Sequence, residues 1–156
     1  MQGHDFKKYP ELTNNKMDIY YFESPHKQIT RDFTALVVDV HDGDTIKLRW
    51  HERDFDFPLR MIPNAAPELD EMGGFESQAW LEKKILNKEV EIIIDEKNRV
   101  EKYGRLLGRV FSNGMDIGEE SIAMGKSIKF GEGDDSGIIP DDNDLWDIPE
   151  GDIKWP

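Results

Sequence analysis

Three short clusters hold the residues that could do chemistry. The first is Asp42-Gly43-Asp44-Thr45, in which Asp44 leaves a tight turn and sets a carboxylate beside backbone carbonyls. Oxygen donors of that kind suit a hard divalent cation, Ca2+ or Mg2+. The second is Arg60 followed by Ala66-Pro67-Glu68. A guanidinium on a strand end and a carboxylate in the loop beyond it can meet over one pocket. The third is Lys102-Tyr103-Gly104-Arg105, where Gly104 permits a sharp turn. Arg105 can then point into the same pocket, with Tyr103 beside it. Each cluster also has a plain structural explanation: a hairpin turn, a surface charge with a helix-proximal anion, and a turn with a flanking arginine.

The elements that must position these groups are legible in outline. Phe33 to Val40 is β-branched and apolar and reads as a strand, and Thr45 to Trp50 alternates polar with apolar residues. Asp-Gly between two such runs predicts a hairpin, with Gly43 accepting positive φ. A third strand is expected around Phe57 to Ile62, a fourth at Val90 to Ile94 and a fifth at Arg105 to Phe111. Between the third and fourth, residues 75–87 predict a helix whose inward side carries Phe75, Ala79, Leu81, Ile85 and Leu86. Ser112-Asn113-Gly114 turns the chain. Asp116 and Glu119 then form a capping-box pattern for a short helix at 117–124 that ends at Gly125. Five short strands with a helix between the third and fourth, and a short helix after the fifth, predict a five-stranded Greek-key barrel of the OB type, mainly β in an α+β class.

Composition narrows the classes of protein this can be. At 156 residues the chain is expected to form one domain with a real core. It has no cysteine, which excludes a disulfide framework, a Cys-based zinc or iron site and a thiol nucleophile. The four histidines show no metal-ligand spacing. Mean hydropathy is -0.68, no apolar run is long enough for a membrane span, and no membrane partner is expected. The first eight residues lack the apolar stretch of a signal peptide, which leaves an exported mature form open.

The net charge of -13 argues against tight, non-specific nucleic-acid binding, which needs Lys and Arg to displace counterions. That charge is uneven. Residues 131–156 hold nine acids against one lysine, whereas residues 1–35 are balanced. Three regions follow: an extended arm over 1–32, a structured domain over 33–130, and an acidic tail over 131–156 with Trp146 and Trp155 among its acids.

The order DGDT, an arginine-bearing strand running to APE, a helix, a β-rich segment and KYGR resembles the staphylococcal nuclease-like (thermonuclease) family over residues 33–130. The loop from Asp95 to Arg105 looks like that family's without a gap. The resemblance implies an OB-fold and a Ca2+-dependent phosphodiesterase acting on DNA or RNA, single-stranded or unpaired. By the same resemblance Asp44 would be a calcium ligand and the Thr45 carbonyl another donor. Glu68 would activate the attacking water, Arg60 and Arg105 would grip the scissile phosphate, and Lys102 and Tyr103 would hold the nucleotide. Bidentate guanidinium donors are well suited to the charge that builds on a phosphate in hydrolysis.

One position departs from the family pattern. The stretch Arg60 to Glu68 places Ala65 where a second metal-ligand Asp is usual, and a methyl group cannot coordinate calcium. Two functions are therefore expected to compete. One is a nuclease weakened at its metal site. The other is a catalytically impaired nuclease-fold module that docks on protein partners through the 1–32 arm and the acidic tail.

Overall fold

The computed structural model describes residues 4–101 and 104–130. Strand β1 (Phe33–Asp42) is long enough to serve two neighbours, pairing antiparallel with β2 (Thr45–Arg49) along its second half and with β5 (Glu89–Ile93) along its first. β3 (Phe57–Met61) follows β2 antiparallel, and β6 (Leu106–Ser112) follows β5. A parallel pairing of β3 with β6, Leu59 opposite Leu106, closes the ring. The result is a closed five-stranded mixed barrel of the OB type, and closure removes the free sheet edges of an open meander.

Alternation along the strands fills the interior. Val37, Ile46, Leu48, Phe57, Leu59, Met61, Ile92 and Val110 are buried there, while Lys47, Arg49 and Glu91 face out. Helix α2 (Gly74–Ile85) closes one side with Leu81 and Ile85, both fully buried. Its inward face differs from the expected one. Gly74, Ser77, Leu81 and Ile85 point in, whereas Phe75 is 71% exposed and Ala79 is exposed. The helix is rotated because small residues at 74 and 77 let it lie against the backbone of the loops below, and an aromatic ring there would hold it off.

Three two-residue strands decorate the barrel: β4 (Asn64–Ala65), β7 (Met115–Asp116) and β8 (Ile128–Lys129), with β4 paired to β8 and β7 to β6. Helix α3 (Ile117–Ala123) begins at Asp116, whose Oδ1 accepts the Glu119 N–H at 3.1 Å, as the capping pattern predicts. Among the described residues no helix is long and apolar enough to cross a membrane.

Residues 4–32 differ from an extended arm. They contain helix α1 (Asn14–Tyr20) and a 3-10 turn at Tyr21–Glu23, and they return to the barrel through buried Leu12 and Ile29. α1 itself buries no residue, so no apolar period announces it. The contacts that fasten the segment are largely polar, through Glu11 and Gln28, and polar anchors leave no hydrophobic pattern in a sequence.

Candidate functional site

The register of β2 against β3 sets Thr45 opposite Arg60 and so brings Arg60 beside Asp44. The parallel register of β3 with β6 then sets Leu106, next to Arg105, beside Leu59, next to Arg60. Three segments distant in sequence thus converge at the end of the β1–β2 hairpin. Close packing there depends on Gly43. Its φ is not positive, contrary to the expected turn geometry. A Cβ at this position would instead fall 1.9 Å from Ser77 Oγ and 2.6 Å from the Ala66 side chain, so glycine is needed for space.

Asp44 is the centre of the cluster. Its Oδ1 accepts the Thr45 hydroxyl at 3.1 Å, and its Oδ2 accepts the Ala66 N–H at 2.8 Å and faces Arg60 Nη2 at 3.4 Å. Burial acts to raise the Asp44 carboxyl. The Arg60 guanidinium and the hydrogen bonds from Asp42, Ala66 and Thr45 outweigh it and hold the group below the usual carboxylate range. Asp42 moves the other way. Burial, then the neighbouring Asp44 charge and, more weakly, Glu68, push it up to about 8.

Arg60 is buried, with both terminal nitrogens facing acceptors. Nη1 donates to the Met61 and Asn64 carbonyls, the latter at 2.9 Å, and the guanidinium lies 4.7 Å from the Phe130 ring centre. Arg105 is held by both carboxylate oxygens of Glu101, with Nη2 to Oε2 at 3.0 Å. Glu101 is fully buried. Burial raises its carboxyl against the pull of Arg105 and of Arg60, and the Asp44 charge adds to the rise. Glu68, half-buried in the loop after β4, donates its N–H to Glu71 at 2.7 Å, and its charge is felt at Asp42.

Asp44, Arg60, Glu68 and Arg105 therefore belong to one electrostatically linked cluster, and Thr45 lies within it. Two members were not singled out in the sequence. Glu101 carried a usable signal, since an acid four residues before a candidate arginine can form a local pair. Asp42 was read only as part of a turn. Lys102, Tyr103 and the acidic tail at 131–156 lie outside the described residues.

The donors do not make a calcium site of the family's kind. Ala65 offers a methyl group, and Asn64 next to it is fully buried with its Nδ2 turned to the Gly43 carbonyl at 3.0 Å. Both oxygens of Asp44 already have protein partners, one of them a guanidinium. Among the described residues no group of three or more His, Asp or Glu is arranged to hold a metal ion. Calcium prefers six to eight oxygens, and here Asp44 is shared with Arg60, Glu101 is held by Arg105 and Asp42 is pushed up to about 8.

The structure is thus a closed OB barrel with a carboxylate–arginine cluster at the β1–β2 hairpin end. Residues 59–132 match a family model described as staphylococcal nuclease homologue. The match takes in Arg60, Glu68 and Arg105 and begins after Asp44 and Thr45, and over that stretch the resemblance read from the motifs is borne out.

Proposed function

We propose that this chain is a nuclease-fold module in which metal-dependent phosphodiester turnover is impaired, and which works by docking. The observation that supports this best is the Asp44–Arg60 pair beside the Ala65 methyl. A guanidinium neutralises the carboxylate that a cation would need, and Arg60 donates to the Asn64 carbonyl while Arg105 donates to the Glu101 carboxylate. Phosphate binding at either arginine requires breaking a buried ion pair. OB barrels also bind single strands through a barrel face, so unpaired nucleic acid is one ligand class for the module. The other is a protein partner. The described part of the 1–32 segment turns Ile19, Tyr21 and Phe22 outward, Phe22 at 94% exposure, although its polar anchors are engaged on the barrel.

A second reading, a weakened Ca2+-dependent endonuclease acting on DNA or RNA, is favoured by one observation. Asp42, Asp44, Glu68 and Glu101 outnumber Arg60 and Arg105 in one cluster, and surplus acid crowded together is relieved by a divalent cation. In that reading Glu68 orients the attacking water while Arg60 and Arg105 stabilise the phosphate.

One experiment separates them. Denatured DNA is incubated with the protein in Ca2+ or chelator, beside Glu68→Gln. The docking reading expects no calcium-dependent cleavage above the variant's background. Calcium-dependent cleavage that the variant abolishes would establish the enzyme instead.

A further inference from the structure

The loop between β5 and β6 carries Arg105, yet the residues that hold its first half lie far outside it, in the N-terminal segment. Arg99, 3% exposed, sends Nε to the Ile29 carbonyl at 2.6 Å and Nη1 to the Leu12 carbonyl and Asn14 Oδ1, both at 3.0 Å. Its Nη2 lies 3.7 Å from Glu11 Oε1. Glu11 in turn accepts the Ile29 N–H at 3.3 Å and forms a second ion pair with Arg53, itself buried over the Phe57 ring at 4.5 Å. Asn14 closes the circuit by donating to the Glu96 carbonyl at 3.0 Å.

From Arg99 the connection to Arg105 is short. The Arg99 carbonyl accepts the Leu107 N–H at 2.8 Å. Glu101 N–H donates to the Arg105 carbonyl at 2.9 Å, Gly104 N–H donates to the Glu101 carbonyl at 2.9 Å, and the Glu101 side chain holds the Arg105 guanidinium. The N-terminal segment also touches the turn directly. Gly104 has φ +87 and lies so close to Tyr9 that a Cβ would fall 2.8 Å from its ring.

We propose that Glu11 and Arg99 are positioning residues for Arg105, so that the N-terminal segment is a working part of the site. Arg99 is pinned at the head of the loop by three hydrogen-bond acceptors and one ion pair from residues 11–29. Pinning fixes the Arg99 carbonyl against the Leu107 N–H, and with it the place from which Glu101 presents its carboxylate. The inference rests on Arg105 belonging to the candidate site and is indifferent to whether that site cuts or only binds.

The test is amide hydrogen exchange on the full chain, comparing wild type with Glu11→Gln and Glu11→Asp. Glu11→Gln keeps an acceptor but removes the charge that two guanidinium groups share. The amides of Glu101, Gly104 and Leu107 should exchange about tenfold faster, with those of Val37 and Ile92 unchanged. Glu11→Asp should recover part of the protection. Faster exchange confined to residues 12–29, or a uniform rise across the barrel, would overturn the proposal. If Glu11→Gln does not fold, Asn14→Ala removes one Arg99 acceptor from an exposed position and should give the same pattern at smaller amplitude. Wild-type exchange at Glu101, Gly104 and Leu107 in that variant would overturn it equally. Because exchange needs no calcium and no substrate, failure here is distinct from a failure of the nuclease-fold docking reading.

Discussion

Two groups of buried charge share the β5–β6 loop and handle opposite surpluses in different ways. On the Arg105 side, Asp42, Asp44, Glu68 and Glu101 are linked to two arginines, and the surplus is acidic. On the Arg99 side, Glu11 alone serves Arg53 and Arg99, and the surplus is basic. A surplus carboxylate can shed its charge by keeping a proton, as Asp42 does up to about pH 8. A guanidinium has no such exit. Arg53 and Arg99 must instead be solvated by the protein, with carbonyls of Lys27, Leu12 and Ile29 and the faces of Phe55 and Phe57. The acidic group is therefore able to respond to pH and ligands, while the basic group is a fixed scaffold.

That contrast can be broken experimentally. The largest effect is expected from Glu11→Ala, which leaves two buried guanidinium groups with no carboxylate and should cost about 3–5 kcal/mol in a denaturant titration. A loss under about 1 kcal/mol would show that carbonyls and rings suffice.

Gly43→Ala tests the other side. Its Cβ would collide with Ser77 and Ala66, and about 1–3 kcal/mol should be lost through overpacking, read as a lower unfolding midpoint.

Asp42→Asn should sharpen the pH contrast. A carboxyl whose folded-state pKa is raised stabilises the fold fully below its unfolded value of 3.8, and that contribution is lost as pH rises through about 8. Wild-type stability should thus decline between those limits, and Asp42→Asn should flatten the decline. The variant should melt above wild type at pH 8.5, with the advantage gone near pH 4. An unchanged slope would mean that Asp42 is not crowded.

Ala65→Asp should give the protein a calcium-dependent rise in melting temperature of about 2–4 °C per kcal/mol of binding, against little or none in wild type. A wild-type shift as large as the variant's would overturn the mismatch between calcium and the native donors. The smallest effect serves as a baseline outside both groups: Asp116→Ala removes the α3 cap and should cost about 1 kcal/mol.

Much of the barrel was readable because its signals are local. Alternation at Thr45 to Arg49, the Asp-Gly turn and the Asp116–Glu119 cap each depend on residues within a few positions of one another. The inward face of α2 was misread at Phe75 because its rotation is set by what the helix packs against. For the site, the spacing of Asp44, Arg60, Glu68 and Arg105 named the participants. It gave no sign that Arg60 is held by Asp44, nor that residues 9–14 reach the loop, whereas the four-residue spacing of Glu101 and Arg105 was a signal left unread.

The sequence by itself determined the five barrel strands, the helices α2 and α3 and which side chains could meet a phosphate, since backbone preference and side-chain period are properties of neighbouring residues. The tertiary structure alone decided which charges are paired. A guanidinium takes whichever acceptor the strand register and the folded N-terminal segment bring within reach, and burial then makes that choice costly to undo.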